Sequence, residues 1–218
     1  MCLILLAWRV DSDYPLVVAA NRDEFHARPS APAAFWEDPP GILAGRDLEA
    51  RGTWMGVSRS RKFAAVTNYR GAREARAAES RGALVTRFLE NGQTAAEYMS
   101  AVSKAATHYS AFNLLVSCGN ELWWMSNRGG EPRPLVPGIY GLGNTLLDAP
   151  EVEPQKQRFA DALDTSLAVE PLFSVLAESR IVNPVYGTRC ATVMIGKRYA
   201  ERSFSADGAE QETLQYQF

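Results

Sequence analysis

Histidine and cysteine are scarce in this sequence of 218 residues, which contains two histidines and three cysteines. Cys2, Cys118 and Cys190 lie far apart, in no spacing typical of metal ligands, so the sequence predicts no metal site. Their odd number favours free thiols in a reducing compartment. Neither His26 nor His108 has a neighbour of catalytic-triad type, and no serine lies in a nucleophile elbow. Serine-hydrolase chemistry is therefore disfavoured.

Long apolar runs and glycine-rich loops are also missing. The first eight residues are apolar but lack a basic start and a cleavage site, and they are far shorter than the roughly 20 residues of a membrane span. We therefore expect a cytoplasmic protein with no signal peptide and no membrane span. Gly141-Leu142-Gly143 lacks the third glycine of a dinucleotide-binding loop. The sequence thus predicts no cofactor.

Charge of one sign does not dominate the chain. Its 23 Lys and Arg residues nearly balance 25 Asp and Glu residues, which argues against a nucleic-acid partner. One stretch, residues 59–81, is basic. It contains only two acidic residues, Glu74 and Glu79, and seven basic ones: Arg59, Arg61, Lys62, Arg70, Arg73, Arg76 and Arg81. Such a stretch would bind an anionic ligand, and a solvated loop is the common alternative.

The hydrophobic pattern predicts a single α+β domain over residues 1–218, with antiparallel strands and segregated helices. Hairpins are expected at Cys2–Val10 with Leu16–Ala20, Thr53–Ser58 with Phe63–Asn68, Phe112–Ser117 with Glu121–Ser126, and Cys190–Ile195 with Ala200–Phe204. Further strands are expected at Ile139–Gly143 and Thr213–Phe218. Helices are expected at Glu79–Leu89, Thr94–Ala106, Gln155–Leu167 and Pro171–Ser179. The proline-rich segment His26–Arg46 is expected to form an irregular loop.

Cys2 is the first candidate for chemistry. Removal of Met1 would place a thiol and a free α-amino group on one residue. The amino group has a pKa of about 7.7–8.0 and would act as a base for a thiol whose pKa is about 8.5. The alternative interpretation is a small apolar residue that opens a buried strand.

The charged run that ends the second predicted strand is the next candidate. In a hairpin, Arg22 and Asp23 would lie beside Cys2, where Arg22 would lower the thiol pKa and Asp23 would accept a hydrogen bond from the amino group. The alternative is an ion-pair cluster in a loop, with Arg22 bound to Glu24 or Asp47.

Two further polar residues lie at predicted strand edges. Asn144 follows a short strand, and its amide would donate to an oxyanion. Arg189 precedes the last hairpin. A turn asparagine and a solvated arginine are the alternatives. Trp123 and Trp124 share one strand, so their rings should point to opposite faces.

The string Ala19-Ala20-Asn21-Arg22-Asp23-Glu24-Phe25, with Met1-Cys2 upstream and Arg28-Pro29 downstream, resembles the NRDE family, also called the Transport and Golgi organisation 2 family. The resemblance continues in order through Gly45-Arg46-Asp47, Gly52-Thr53-Trp54-Met55-Gly56-Val57-Ser58, Ala64-Ala65-Val66-Thr67-Asn68-Tyr69, Arg81-Gly82-Ala83-Leu84-Val85, Phe112-Asn113-Leu114, Asn127-Arg128-Gly129-Gly130, Tyr140-Gly141-Leu142-Gly143-Asn144 and Tyr186-Gly187-Thr188-Arg189.

The resemblance implies a fold and a set of residue roles. NRDE proteins are similar to N-terminal nucleophile hydrolases of the choloylglycine hydrolase and penicillin acylase kind, which implies an αββα four-layer sandwich with two antiparallel sheets. In those enzymes a cysteine at the mature N-terminus attacks an amide. An arginine and an aspartate assist it, an asparagine helps to build the oxyanion hole, and a later arginine completes the site. These roles would fall on Cys2, Arg22, Asp23, Asn144 and Arg189.

Two functional hypotheses follow. The first is a cysteine N-terminal nucleophile hydrolase, an amidohydrolase or acyltransferase that acts on a small amide or acyl substrate. The second is a non-catalytic binding or carrier protein for haem or for acyl-CoA and lipid-like anionic ligands, held by the basic stretch and an exposed tryptophan. The resemblance keeps the second open, because family members in animals are linked to membrane traffic, lipid or acyl-CoA metabolism and haem handling.

Overall fold

The computed structural model describes residues 2–71 and 78–218. The chain divides into two compact units. Unit 1 consists of Met1–Arg28, Pro137–Gly143 and Leu147–Phe218, and unit 2 consists of Pro29–Val136 and Asn144–Leu146. Among the described residues, no helix combines the length and the apolar character that a membrane crossing requires.

Unit 1 is built on a six-stranded antiparallel sheet. Its strands are β1 (Leu3–Trp8), β2 (Leu16–Phe25), β10 (Gly138–Leu142), β11 (Tyr186–Ile195), β12 (Arg198–Phe204) and β13 (Glu210–Gln217). Their spatial order is β10-β1-β2-β11-β12-β13. The predicted first hairpin is confirmed, with Leu3 opposite Asn21. Strand β2 is therefore central, between β1 and β11, and its charged end extends beyond Leu3, the first residue of β1, while it stays paired with β11.

Helices α3 (Glu153–Thr165) and α4 (Val169–Ala177) cover one face of this sheet. Successive side chains of a strand point to opposite faces. The helix-covered face therefore receives the apolar side chains Leu3, Leu5, Val17, Ala19, Ala191 and Val193, which pack with Phe159 and Leu172. The alternate positions lie on the other face, and they include Arg22, Cys190, Thr192, Tyr199 and Glu201, all of which are buried.

Unit 2 contains a seven-stranded antiparallel sheet in the order β3-β4-β5-β6-β7-β8-β9. Its strands are β3 (Ser30–Glu37), β4 (Pro40–Asp47), β5 (Met55–Ser58), β6 (Phe63–Asn68), β7 (Phe112–Cys118), β8 (Glu121–Ser126) and β9 (Gly130–Pro134). Helices α1 (Gly82–Glu90) and α2 (Ala95–Lys104) pack on one face of it. Thr94 and Glu97 form a capping box that begins α2 and satisfies its first N–H groups.

The expectation of an irregular loop at His26–Arg46 is wrong, because most of that segment forms β3 and β4. Proline cannot donate to a strand ladder, but edge strands, strand starts and bulges tolerate it. Strand β3 is an edge strand. Pro32 lies where its pairing register shifts between Ala31 and Ala34, and Pro40 begins β4. Each proline thus avoids a ladder position that needs an N–H.

The α+β fold class expected from the sequence is confirmed: the described residues form two antiparallel sheets, each with two α-helices packed on one face. The structure contains the other predicted hairpins and all four predicted helices, with ends that differ by a few residues. Strand β9 was not predicted. The assignment of residues 1–218 to one domain stays a prediction.

Candidate active site

Cys2 lies immediately before β1, beside the end of β2. The backbone N–H of Asp23 donates to Cys2 Sγ at 3.4 Å, and the Cys2 thiol donates to the Asp23 carbonyl oxygen at 3.4 Å. The thiol therefore touches the peptide groups on both sides of Asp23. Cys2 is half-buried, and Met1 lies outside the described residues. The thiol thus lies at the end of β2, where the predicted hairpin places it. The role of Cys2 as a nucleophile stays a prediction.

The surroundings of Cys2 favour its neutral form. Burial raises the pKa of the Cys2 thiol, and the Asp23 carboxylate raises it further. The Asp23 N–H and the Arg22 guanidinium act in the opposite direction and lower this pKa. Burial is the largest of these effects, so the pKa of the Cys2 thiol lies above its ordinary value. Nucleophilic attack by this sulfur would therefore need a base close to it.

Arg22 is a buried cation on β2, with 5% of its surface exposed. It pairs in register with Cys190 of β11, and the register of β1 with β2 places Cys2 at its other side. Its Nη2 lies 3.8 Å from Glu24 Oε2, an ion pair that matches one of the two alternatives expected for a structural role. The buried Arg22 cation lies between two thiols. It therefore contributes to the electrostatics of the site, whether or not its ion pair with Glu24 also has a structural role.

Asp23 is a buried carboxylate held by β11. The Thr188 hydroxyl donates to Asp23 Oδ1 at 2.6 Å, and the Tyr186 hydroxyl donates to the Asp23 carbonyl oxygen at 3.2 Å. Gly187 separates these two donors, and a Cβ there would lie 2.8 Å from the Ile181 carbonyl oxygen, so the strand can pass only with glycine. Sequence reasoning missed Tyr186 and Thr188, although both belong to a string that carried the family resemblance.

Arg189 is the extra residue of a bulge in β11, between Thr188 opposite Asp23 and Cys190 opposite Arg22. Its Nη1 donates to the carbonyl oxygens of Phe25, His26 and Arg28 at 3.2, 3.3 and 3.2 Å. The guanidinium thus clamps the turn that follows β2. Its predicted role in catalysis stays a prediction, and this clamp is a structural role that sequence reasoning did not foresee.

A second buried polar group adjoins the site on the face that the helices do not cover. Cys190 and Thr192 of β11 lie beside Tyr199 and Glu201 of β12, and Thr192 Oγ1 donates to Glu201 Oε2 at 3.4 Å. Burial raises the pKa of the Cys190 thiol well above its ordinary value, and Glu201 raises it further. Arg22 acts in the opposite direction on the same thiol. Cys190 is therefore a buried thiol beside Arg22 whose pKa is raised.

Asn144 belongs to unit 2. Its side-chain Nδ2 donates to the Asn68 carbonyl oxygen at 2.7 Å, and its own carbonyl accepts the Arg70 N–H at 2.6 Å. Both bonds secure the chain just beyond β6. The assignment of Asn144 to an oxyanion hole stays a prediction.

The basic stretch 59–81 is only partly available to a ligand. The Lys62 ammonium is buried and donates to the carbonyl oxygens of Phe88, Asn91 and Gln93 and to Asn91 Oδ1. Arg59 stacks on Phe35. Arg81 donates to the Ala111 carbonyl oxygen. Residues Arg73, Glu74 and Arg76 lie outside the described residues.

Two smaller points bear on ligand binding. Trp123 packs against the helix-covered core and Trp124 lies on the opposite face of β8, as predicted. Within residues 2–71 and 78–218, no group of three or more His, Cys, Asp or Glu side chains could hold a metal ion. The described part of the chain therefore offers Cys2 and its neighbours on β2 and β11 as the strongest candidate site.

Several solved structures share this fold. An N-acylethanolamine-hydrolyzing acid amidase ortholog from Caenorhabditis elegans matches with a TM-score of 0.59 at 14% identity, over 89% of this chain and 93% of that one. A mutant conjugated bile acid hydrolase from Clostridium perfringens matches with a TM-score of 0.64 at 10% identity, over 100% and 97% of the two chains. Penicillin V acylase from Agrobacterium tumefaciens matches with a TM-score of 0.54 at 14% identity, over 93% and 83%. The fold is that of the N-terminal nucleophile hydrolases.

The chain belongs to the Transport and Golgi organisation 2 family, whose sequence model matches residues 1–185. The human Transport and Golgi organization protein 2 homolog is 34% identical over 94% of this chain and 92% of the human protein. The mouse homolog is 41% identical over 72% of this chain, and that alignment spans 60% of the mouse protein. The family resemblance stated from the sequence is therefore confirmed.

Proposed function

We propose that this protein is a cysteine N-terminal nucleophile hydrolase that acts on a small amide or acyl substrate. One observation carries the proposal: Cys2 Sγ lies 3.4 Å from both the N–H and the carbonyl oxygen of Asp23. The Arg22 and Asp23 side chains are buried at the same strand end. A thiol at the chain start next to a buried cation and a buried carboxylate is an arrangement suited to nucleophilic catalysis.

The reaction begins once Met1 has been removed. The freed α-amino group of Cys2 takes the thiol proton, and the sulfur attacks the substrate carbonyl carbon to form a C–S bond. The C–N bond then breaks, and the amino group passes its proton to the departing amine. This leaves an acyl thioester on Cys2. Water then attacks the thioester, the C–S bond breaks, and the thiol is restored with release of a carboxylic acid.

The neighbouring side chains have distinct parts in this scheme. The Arg22 cation lowers the thiol pKa and so offsets part of the effect of burial. The Asp23 carboxylate, held by Thr188, orients the protonated amino group. Asn144 and Arg189 are assigned by family resemblance to the oxyanion and to completion of the site. The raised pKa of the Cys2 thiol supports a mechanism that includes a built-in base.

The comparisons support an amide as the bond that is cleaved. The solved structures of this fold include an N-acylethanolamine-hydrolyzing acid amidase, a penicillin V acylase and a conjugated bile acid hydrolase. One of them is a cysteine-to-alanine mutant of the bile acid hydrolase. These three activities share hydrolysis of an amide with an organic acyl group, and they supply the first substrates to test.

Two measurements test the proposal. Intact-mass spectrometry of the purified protein should show that Met1 is absent. Amine release is then followed with an N-acylethanolamine, penicillin V and a conjugated bile acid, for the unaltered protein, Cys2→Ala and Cys118→Ala. Cys118 is a free, half-buried thiol in unit 2 and is the matched control. We expect turnover of at least one substrate by the unaltered protein and Cys118→Ala, and its loss in Cys2→Ala.

The possible outcomes distinguish the hydrolase hypothesis from the carrier hypothesis. An acyl adduct on the Cys2 peptide, trapped by acid quenching, would support the scheme even where the thioester is hydrolysed slowly. Retention of Met1, or equal turnover by Cys2→Ala, would overturn it. Absence of both amine release and acylation would also contradict it. Saturable quenching of tryptophan fluorescence by haem or an acyl-CoA would then favour the carrier hypothesis.

A further inference from the structure

Strand β13 (Glu210–Gln217) forms one edge of the unit 1 sheet, and within residues 2–71 and 78–218 only β12 pairs with it. Between the pair of Thr213 with Arg202 and the pair of Gln217 with Arg198, the register has no shift. Most side chains of β13 are exposed. A regular, exposed edge presents a row of backbone N–H and C=O groups, to which another strand can pair.

One hydrogen bond shows which residues of β13 present their backbone outward. The N–H of Phe218 donates to the Lys197 carbonyl oxygen at 3.2 Å, one residue beyond the pair of Gln217 with Arg198. Hydrogen-bonded and non-hydrogen-bonded pairs alternate along an antiparallel ladder. Every second residue back from Phe218 therefore directs its backbone groups at β12. The residues between them direct theirs away from the sheet: Thr213, Gln215 and Gln217.

The edge at β13 differs from the other three edges of the two sheets. Strand β3 contains Pro32 and two register shifts, and β9 contains Pro132, Pro134 and a register shift. Strand β10 has only five residues, two of them glycine. Proline, bulges and short length are devices that keep an edge from pairing with another chain. Strand β13 has eight residues, with neither proline nor glycine, and residues 213–218 contain no charged side chain.

The backbone of β13 can pair with the same strand of a second copy. In an antiparallel arrangement with a two-fold axis at Gln215, the outward groups of Gln215 meet those of the partner's Gln215. The outward groups of Thr213 then meet those of the partner's Gln217, and the reverse pair forms by symmetry. All three outward-facing residues thereby gain hydrogen-bond partners.

The side chains of β13 fit the same register. Leu214 lies opposite the partner's Tyr216, so two apolar cross-strand pairs form on one face of the joined sheets. Glu212 lies opposite the partner's Phe218, and Glu210 lies outside the paired segment. No acidic side chain therefore faces another, because the glutamates of the two copies lie at opposite ends of the ladder. This charge pattern favours a second copy of the chain as the occupant of the edge.

We propose that two copies of this chain associate through β13, antiparallel about a two-fold axis at Gln215, so that their six-stranded sheets join into one continuous sheet. A two-fold pairing closes on itself and gives a dimer, not a filament. One short strand buries less area than a standard protein interface, so we expect a dimer that dissociates in the micromolar range. The inference goes beyond the proposed function and does not depend on hydrolysis.

Sedimentation equilibrium of the unaltered protein and of two lysine variants tests the inference. In Gln215→Lys, the two new charges lie directly opposite each other across the axis, so we expect the dimer dissociation constant to rise by roughly fivefold or more. The matched control is Gln211→Lys, the same change at another exposed position of β13. Its two new charges lie about 27 Å apart in the dimer, well beyond the Debye length, so the dissociation constant should not change.

A proline variant and hydrogen exchange give independent measurements. Gln215→Pro removes an outward N–H and leaves the bonds to β12 in place, and an edge strand tolerates such a proline. We expect its dimer to be lost while its circular dichroism stays that of the unaltered protein. The Thr213, Gln215 and Gln217 amides of the unaltered protein should exchange at least roughly tenfold more slowly at concentrations where the dimer forms than at high dilution.

Each outcome decides for or against the β13 dimer. Weaker association in Gln215→Lys, with unchanged association in Gln211→Lys, supports it. A protein that stays monomeric throughout the micromolar range overturns it. A dimer that Gln215→Lys leaves intact, or that Gln211→Lys weakens equally, also overturns it, since the contact then lies elsewhere. If Gln215→Pro does not fold, the lysine pair and the exchange of the three amides decide, and equal exchange at both concentrations counts against the proposal.

Discussion

Thr188 fixes the orientation of the Asp23 carboxylate: its hydroxyl donates to Asp23 Oδ1 at 2.6 Å while its oxygen accepts the N–H of Ile181 at 2.9 Å. Both residues are buried, with 2% and 4% of their surface exposed. A hydroxyl that accepts from one side has its proton directed to the other. The carboxylate is therefore held from the neighbouring strand, and a hydrogen bond to a charged acceptor in a buried site is among the stronger ones in proteins.

Replacing Thr188 by valine tests this relationship. Thr188→Val keeps the shape of the side chain and removes the donor to a buried carboxylate, so we expect the free energy of unfolding to fall by about 1–3 kcal/mol. If Asp23 orients the amino group as proposed, amide turnover should fall as well. Urea unfolding followed by circular dichroism measures the first effect. Thr165→Val is the control, because that exposed hydroxyl donates only to the Asp161 carbonyl oxygen within a helix end. Equal losses in the two variants would contradict the special role of Thr188.

The part of the site that lies within one hairpin could be predicted from the sequence. Two apolar runs joined by Asp11-Ser12-Asp13 predict adjacent antiparallel strands, and such strands bring the end of the second beside the start of the first. This local rule placed Arg22 and Asp23 next to Cys2, where the structure has them.

The contributions of β11 could not be predicted in that way. Thr188 and Asp23 are 165 residues apart in the chain, and no local pattern indicates which distant strand pairs with β2. The bulge that carries Arg189 depends on the same pairing. The hairpin of β3 and β4 was missed for a different reason: prolines usually signal loops, and only the edge position of β3 in the completed sheet makes them acceptable there.

Lys62 provides a stability test in unit 2. Its ammonium lies 2.6 Å from the Asn91 carbonyl oxygen and 2.7 Å from that of Gln93, and it also donates to the Phe88 carbonyl oxygen at the end of α1. Burial lowers the Lys62 pKa, because desolvation disfavours the charged ammonium. Lys62→Met removes the donor from several carbonyls at once, so we expect a loss of about 1–3 kcal/mol in urea unfolding.

The control for that variant is Lys104→Met, at an exposed position in the last turn of α2. A surface lysine near a helix end contributes only about 0.3–1 kcal/mol. A loss in Lys62→Met no greater than in Lys104→Met would show that the buried ammonium does not stabilise the end of α1. Lys62 would then again be a candidate for binding an anion.

Tyr199 and Tyr98 make a matched pair for the dependence of stability on pH. Burial raises the pKa of both hydroxyls. The unfolded chain therefore releases these protons at a lower pH than the folded protein does. The stability that these pKa differences contribute is present below about pH 10 and is lost as the pH rises through the pKa values of the folded protein. Replacing either tyrosine by phenylalanine should reduce this alkaline loss of stability, measured by urea unfolding across the alkaline range.

At neutral pH the two variants should differ. The Tyr98 hydroxyl donates to the Leu84 carbonyl oxygen at 2.6 Å, whereas the Tyr199 hydroxyl has no hydrogen-bond partner within the described residues. Tyr98→Phe should therefore lose about 1 kcal/mol, and Tyr199→Phe should be unchanged or more stable by as much as about 1 kcal/mol. A loss in Tyr199→Phe equal to that in Tyr98→Phe would indicate that its hydroxyl is hydrogen-bonded in solution.

Arg189 distinguishes a structural clamp from a catalytic cation. Its Nη1 donates to three carbonyl oxygens of the turn after β2, and the Arg28 N–H in that turn donates to the Phe25 carbonyl oxygen at 3.0 Å. Loss of hydrogen bonds from a charged group costs about 1.5–3 kcal/mol, so Arg189→Met should speed hydrogen exchange of the Arg28 amide by roughly tenfold or more. Arg198→Met, at an exposed position in the β11–β12 hairpin, should leave the exchange rate of that amide unchanged.

Arg189→Lys separates the two roles, because an ammonium can still donate to the carbonyls but cannot present a planar guanidinium. Restored protection without restored amide turnover would assign Arg189 to the reaction, whereas restoration of both would assign it to the turn alone.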